Sequence, residues 1–211
     1  MLVAPIILTT LSVILVLWGD ATGRPSVRAV FKVLASAGFL ILALLAGAQH
    51  HGAVGFWLLA ALVTSTLGDI ALIGKSKAAV GGGLGFFFLA HVAFLGAFLT
   101  LGIDPVHFAG WAVVLALFSA GIWRWLGPHT GSLKPAVAAY VGVISLMVAG
   151  AGALASASGR VDLLVCAVVF MASDLCVARH RFVAPGLINR QIGLPLYYAA
   201  QLGFAWFLVQ P

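Results

Sequence analysis

Residues 52–75 read GAVGFWLLAALVTSTLGDIALIGK. From 53 to 73 the run is apolar apart from a few hydroxyls and one acid, Asp69. Its length is close to the ~20 residues that cross a bilayer core as a helix. An ionised Asp in such a place costs about 2.5–3.5 kcal/mol on insertion scales. The whole chain has five acidic residues, all Asp, so the position of each one matters.

The rest of the chain resembles this stretch. Its 211 residues are 63% hydrophobic and 8% charged, with a mean hydropathy of +1.17. A soluble domain carries roughly 25% charged residues; this composition cannot cover a water-facing surface. Eight apolar runs fall near 2–18, 28–48, 53–73, 79–101, 107–126, 135–157, 161–178 and 191–210. They predict an all-α polytopic bundle of eight transmembrane helices, one integral membrane domain over residues 1–211. The breaks are short and turn-rich: GDATGRPS, QHHG, GKSK, GIDP, LGPHTGSLK, SGR and ARHRFVAPGLINR. The first run opens at Met1 without a basic leader, which predicts a retained helix and not a cleaved signal.

Charge gives the orientation. Arg24 and Arg28, Lys75 and Lys77, Arg124 and Lys134, and Arg179, Arg181 and Arg190 flank alternate breaks. The other breaks hold almost no basic residue beyond Arg160, which lies beside Asp162. The positive-inside rule puts the basic breaks in the cytoplasm, with both termini outside and the protein in the cytoplasmic membrane. Topology accounts for the net charge of +6. Without a basic patch interleaved with a soluble aromatic surface, nucleic acid is excluded as a partner.

Depth follows from helix rise. Asp69 and Asp174 each lie about five residues, or ~7 Å, from the cytoplasmic end of spans three and seven. Lys32 is one turn into span two, and Tyr140 one or two turns into span six. Tyr197 and Gln201 share a face of span eight at i, i+4, with Tyr198 beside them. Ser65 and Thr66 flank Asp69, and His91 sits deeper, near the midplane. Taken singly, Tyr140, Tyr197 and Gln201 read equally as helix-to-helix hydrogen bonds worth about 0.6 kcal/mol each. Lys32 reads equally as a snorkelling side chain, and a lone His91 is more often a packing residue than a ligand. The acids differ: two at one level, with a single Lys between them, make a poor structural solution, because an apolar pair would pack without the cost.

Other chemistries lack their residues. Cys166 and Cys176 are about 15 Å apart along one helix, too far to bridge, and read as small packers. No His-rich set or H-E-x-x-H supplies a zinc site, so neither metal nor cofactor is expected. VGGGLG at 80–85 lacks a following G-K-[ST]; Gly81 and Gly85 read as a GxxxG packing face. Two carboxyls remain, and placed close together they share a proton, one serving as acid and the other as base.

The segments GDIALIGKSKAAVGGGLGFFFLAHVAFLGAF (68–98), SDLCVARHRF (173–182) and LPLYYAAQ (194–201) resemble the YhhN-like membrane family, the lysoplasmalogenases. The likeness covers most of the chain and keeps the motif order. It rests on Gly68-Asp69, Gly83 and Phe88 ahead of His91, Tyr140, Ser173-Asp174, and Tyr197-Tyr198 with Gln201; Phe94 stands where many members have Tyr. The resemblance implies hydrolysis of the vinyl ether bond of lysoplasmalogens to a fatty aldehyde and a glycerophospho-alcohol. Asp69 and Asp174 would be the acid and base, in an order left open. Lys32 and Tyr140 would tune them, with His91 and Ser173 in support. Tyr197, Tyr198 and Gln201 would position water or glycerol oxygens. The lysophospholipid would enter from the cytoplasmic leaflet, with basic residues on its phosphate. An intramembrane aspartyl protease or a proton-coupled transporter would use similar carboxyls. Asp69 and Asp174, on the third helix of each group of four, also hint at a tandem 4+4 repeat.

Overall fold

The protein is described by a computed structural model covering residues 2–74 and 76–207. Lys75 and residues 208–210 of the last expected span lie outside it. Eight long helices follow one another: α1 (Val3–Ala21), α2 (Pro25–Leu45), α3 (Gly52–Ala71), α4 (Lys77–Thr100), α5 (Pro105–Leu126), α6 (Lys134–Ser158), α7 (Val161–Ala178) and α8 (Leu187–Phe207). Only short turns join them, and no strand occurs among the described residues. Seven of the helical stretches are long and apolar enough to cross a membrane. The chain is a multi-pass membrane protein. α8 has comparable length, but Asn189, Arg190, Gln191, Tyr197, Tyr198 and Gln201 dilute its apolar content.

Local chemistry sets the ends. Pro25 and Pro105 stand in the first turns of α2 and α5, where the missing N–H has no helical partner to lose. Ser76 and Asp104 cap α4 and α5, accepting the N–H of Ala79 and His107 at 3.1 and 2.8 Å. The capping N–H of His107 holds the exposed Asp104 carboxyl below the usual carboxylate range. Gly159, at φ 71°, closes α6 in the left-handed region.

Two expected breaks are partly helical. α1 continues to Ala21, so Asp20 is a helical residue and not part of a turn. α7 runs on through a π turn at Arg179–Val183, and α8 begins at Leu187, which puts Asn189 and Arg190 on a helix. Polar residues made both stretches look like loops, but a helix end next to polar partners tolerates them.

Consecutive helices pack in pairs: α1 on α2, α3 on α4, α5 on α6 and α7 on α8. The pairs join through α2–α8, α4–α6, α2–α3 and α6–α7. The core is aromatic and aliphatic, with Phe39, Leu58, Leu62, Phe94, Phe170 and Phe204 fully buried. Outward faces stay apolar, as Ile7, Leu11, Val113, Leu117 and Val165 show, which suits a hydrocarbon surround and not water. α1 and α5 are the outer helices, and they differ. α1 also packs on α8, whereas the packing of α5 on α4 is slight at most among the described residues. α5 buries only Leu115, Ile122 and Leu126.

The GxxxG expectation fails. A Cβ at Gly81 or Gly85 would meet open space. The close approach is one face round, where a Cβ at Gly83 would lie 2.5 Å from Leu72 and one at Gly68 would lie 2.7 Å from the Phe87 ring. A spacing of four marks a face of a helix without saying which side that face is on.

Candidate active site

Asp69 lies in the last turn of α3, with its side chain 3% exposed. Lys32 of α2 approaches its Oδ1 at 3.1 Å. Its Oδ2 accepts the hydroxyls of Ser36 at 2.7 Å and Tyr197 at 2.8 Å, with Tyr198 more distant at 3.5 Å. Ser36 follows Lys32 by one turn, so both reach the acid from one face of α2. The single hydroxyl hydrogen of Tyr198 has the Lys32 carbonyl, at 3.2 Å, as its nearer acceptor. The absence of a side chain at Gly68 lets the Phe87 ring lie against α3 beside the acid.

Asp174 of α7 has a different set of neighbours. The Tyr140 hydroxyl of α6 donates to Oδ2 at 2.6 Å. His91 Nε2 of α4 stands 3.4 Å from the same oxygen. His91 is fully buried and stacked on Phe170, with ring centroids 4.5 Å apart. Its Nδ1 lies 2.6 Å from the Phe87 carbonyl. A carbonyl only accepts, so Nδ1 carries a hydrogen, and in the neutral ring Nε2 then bears a lone pair. That nitrogen is buried without a hydrogen-bond partner. A lone pair facing a carboxylate oxygen repels it; one proton held between Asp174 and His91 removes the conflict.

This corrects the sequence expectation of one Lys between two equivalent acids. Lys32 pairs with Asp69 alone, and Asp174 is partnered by His91, which residue counting placed deeper, near the midplane. Side-chain direction explains the difference. Side chains lean toward the N-terminus of their helix. α4 starts at a basic turn and α7 ends at one, so His91 leans toward that end while Asp174 leans away from it, and the two meet. The acids are also not equally far from their helix ends: Asp69 is two residues before Ala71, whereas α7 continues past Asp174 into the π turn.

A cavity of about 180 Å³ is lined by Asp69, Asp174, Lys32, Tyr140, Ser173 and Tyr197. Both acids therefore open on one space. His91, Tyr198 and Gln201 are not in its lining and form a layer behind it. Gln201 donates to Ser65 at 3.4 Å, and its Oε1 is buried without a partner. The cavity walls are otherwise largely apolar, including Leu84, Phe87, Val137 and Ile144. Among the described residues no group of three His, Cys, Asp or Glu side chains is arranged to hold a metal ion. Cys166 and Cys176 are both free, the second in the cavity wall.

Sequence reasoning missed Ser36, Asp20 and Asn189. Ser36 had a readable signal, its i, i+4 relation to Lys32. Asp20 had another, being one of five acids, but its neighbours in GDATGRPS pointed to a turn. It is buried, with Arg190 at 2.8 Å and Arg28 at 3.7 Å from its Oδ1.

The chain is similar to known proteins over most of its length. Residues 27–208 match the YhhN family. The chain is 32% identical over 187 residues to a lysoplasmalogenase of Mycobacterium tuberculosis, and equally to one of Mycobacterium bovis, spanning 85% of this chain and 68% of each relative. It is 29% identical over 156 residues to lysoplasmalogenase TMEM86A of Bos taurus, spanning 71% of this chain and 63% of that protein. No solved structure matches.

Proposed function

The chain belongs to the YhhN family, and from that premise we propose that it hydrolyses the vinyl ether bond of lysoplasmalogens by acid–base chemistry between Asp69 and Asp174. The observation that carries the mechanism is the shared cavity with unlike surroundings: one carboxylate paired with an ammonium, the other facing a buried imidazole nitrogen that has no hydrogen-bond partner, a pair to which we assign a stored proton. The names of the similar mycobacterial and bovine proteins support the substrate class.

The reaction needs a proton on carbon and a stabilised cation. Asp174 delivers the stored proton to the outer alkene carbon of the vinyl ether. The carbon–oxygen unit becomes an oxocarbenium ion. Asp69, an ion-paired carboxylate on the same cavity, faces that positive charge, as a carboxylate does in glycoside cleavage. Water then adds to the carbon bearing the ether oxygen and gives up a proton to a carboxylate, forming a hemiacetal. Return of a proton to the ether oxygen, with a carboxylate taking the hemiacetal hydroxyl proton, splits the hemiacetal into a fatty aldehyde and a glycerophospho-alcohol and restores the starting acid. Atoms balance as substrate plus one water. Tyr140 orients Asp174, and Lys32, Ser36 and Tyr197 orient Asp69, so little reorganisation accompanies the charge that develops. His91 keeps the proton in place; Ser173 shapes the wall; Tyr198 and Gln201 brace the layer behind.

We place all eight helices across the cytoplasmic membrane, with termini outside and the cavity in the inner half. The lysophospholipid then enters from the cytoplasmic leaflet. A tandem origin is consistent with the packing of α2 on α8 and α4 on α6. The deciding experiment incubates purified protein with a 1-alkenyl-glycerophosphoethanolamine and measures free aldehyde. Aldehyde from the alkenyl lipid but not from its saturated ether analogue is the expected result. Release from neither removes the assignment.

A further inference from the structure

The cavity does not end at the two aspartates. Its outer wall carries Asp20, Arg28, Arg181 and Arg190, so three guanidinium groups stand against one carboxylate. Asp20 Oδ1 accepts from Arg190 at 2.8 Å and lies 3.7 Å from Arg28. Its side chain is 4% exposed and its Oδ2 has no hydrogen-bond partner. Arg28 also donates to the carbonyls of Leu72 and Ile73 just past the end of α3. Arg181 differs from both: it is half-buried in the wall, and among the described residues no acid or hydrogen-bond partner engages it.

Topology asks for basic residues in water-facing turns. It does not ask for three of them gathered in one pocket wall, two of them braced by a buried acid. Like charges brought together repel, so the arrangement fits an anion that completes it. Position narrows the anion. Arg28 precedes Lys32 by one turn on the same face of α2, a rise of ~6 Å, and Lys32 holds Asp69. A three-carbon glycerol backbone, with an ether oxygen at one end and a phosphoester at the other, bridges a gap of that size. Guanidinium forks match phosphate oxygens in pairs.

We propose that Arg181, together with Arg28 and Arg190, binds the phosphoester of the lipid headgroup, with Asp20 as a positioning residue that sets the two braced guanidiniums. The inference rests on the vinyl ether reading and adds a specificity determinant to it. It fixes the glycerol so that the alkenyl ether meets the aspartates, and it selects phosphate-bearing lipids.

The test uses the full chain in lipid nanodiscs, with aldehyde release from a 1-alkenyl-glycerophosphoethanolamine and from the matching phosphate-free 1-alkenyl-glycerol. R181Q is expected to raise the ratio of the two KM values about tenfold or more, with R181K recovering part of it. An unchanged ratio overturns the clamp. A second arm needs neither turnover nor a variant. Wild-type protein is titrated with ester-linked lysophosphatidylethanolamine, with monoacylglycerol and with inorganic phosphate. Preference for the lysophospholipid over the monoacylglycerol supports the clamp. Equal binding of the two lipids, or binding of inorganic phosphate alone, overturns it. If wild type releases aldehyde from neither substrate, the hydrolase reading falls, and the binding arm still decides the clamp.

Discussion

Asp69 of α3 and Asp174 of α7 are the same side chain, and they live among different donors. Around Asp69 every neighbour brings its own hydrogen: an ammonium and the hydroxyls of Ser36 and Tyr197, with Tyr198 further off. Around Asp174 there is one hydroxyl, from Tyr140, and one imidazole nitrogen whose hydrogen sits on the far side of the ring. The first site is complete with a bare carboxylate. The second is complete only with an extra proton. In a low-dielectric interior, the count of hydrogens offered by the neighbours gives two identical residues unlike surroundings.

The sharpest way to break this contrast is to remove each acid. D69N and D174N should each lower aldehyde release by about 10²–10⁴-fold; turnover within tenfold of wild type in either variant would end the shared mechanism. Stability should then separate the two. D69N strands the Lys32 ammonium in the core, and removing one partner of a buried pair costs about 3–5 kcal/mol. D174N strands no charge: an amide nitrogen standing in place of Oδ2 gives one N–H to His91 Nε2 and the other to the Tyr140 oxygen. Thermal unfolding should show a large loss for D69N and little for D174N; equal losses would erase the difference in surroundings. The double variant K32M/D69L should regain much of the lost stability while staying inactive. The smallest effects concern single hydroxyls. Y140F removes the one hydroxyl on Asp174 and should lower kcat about tenfold, whereas Y197F leaves Asp69 with Lys32 and Ser36 and should cost about threefold. The reverse order would exchange the roles of the acids.

Much of this was readable in the sequence. Twenty-residue apolar runs declare themselves, and each of the eight holds one long helix. Acids are scarce enough that Asp69 and Asp174 stood out against their surroundings. Their partners were harder to read. Counting residues along a helix locates Cα levels, but a contact depends on which way the side chain leans, and that reverses between α4 and α7. So His91 was counted as a supporting residue without its partner being legible, and Lys32 looked shared. Asp20 was hidden by turn-like neighbours, and Gly81 and Gly85 by a spacing that names a face but not its direction. The helical start of α8 was masked by Asn189 and Arg190, which look like loop residues until Arg179 and Asp20 are found beside them.

The loose seating of α5 beside α4 has a consequence for measurement. The wall on that side is built from Val80, Leu84 and Phe87 of α4 with Ile122 and Leu126 of α5, all apolar. A guest arriving through that wall never dissolves in the aqueous phase. Its occupancy follows the mole fraction of the guest in the leaflet, so thinning the substrate with inert lipid slows turnover, while adding buffer to the same vesicles leaves it unchanged.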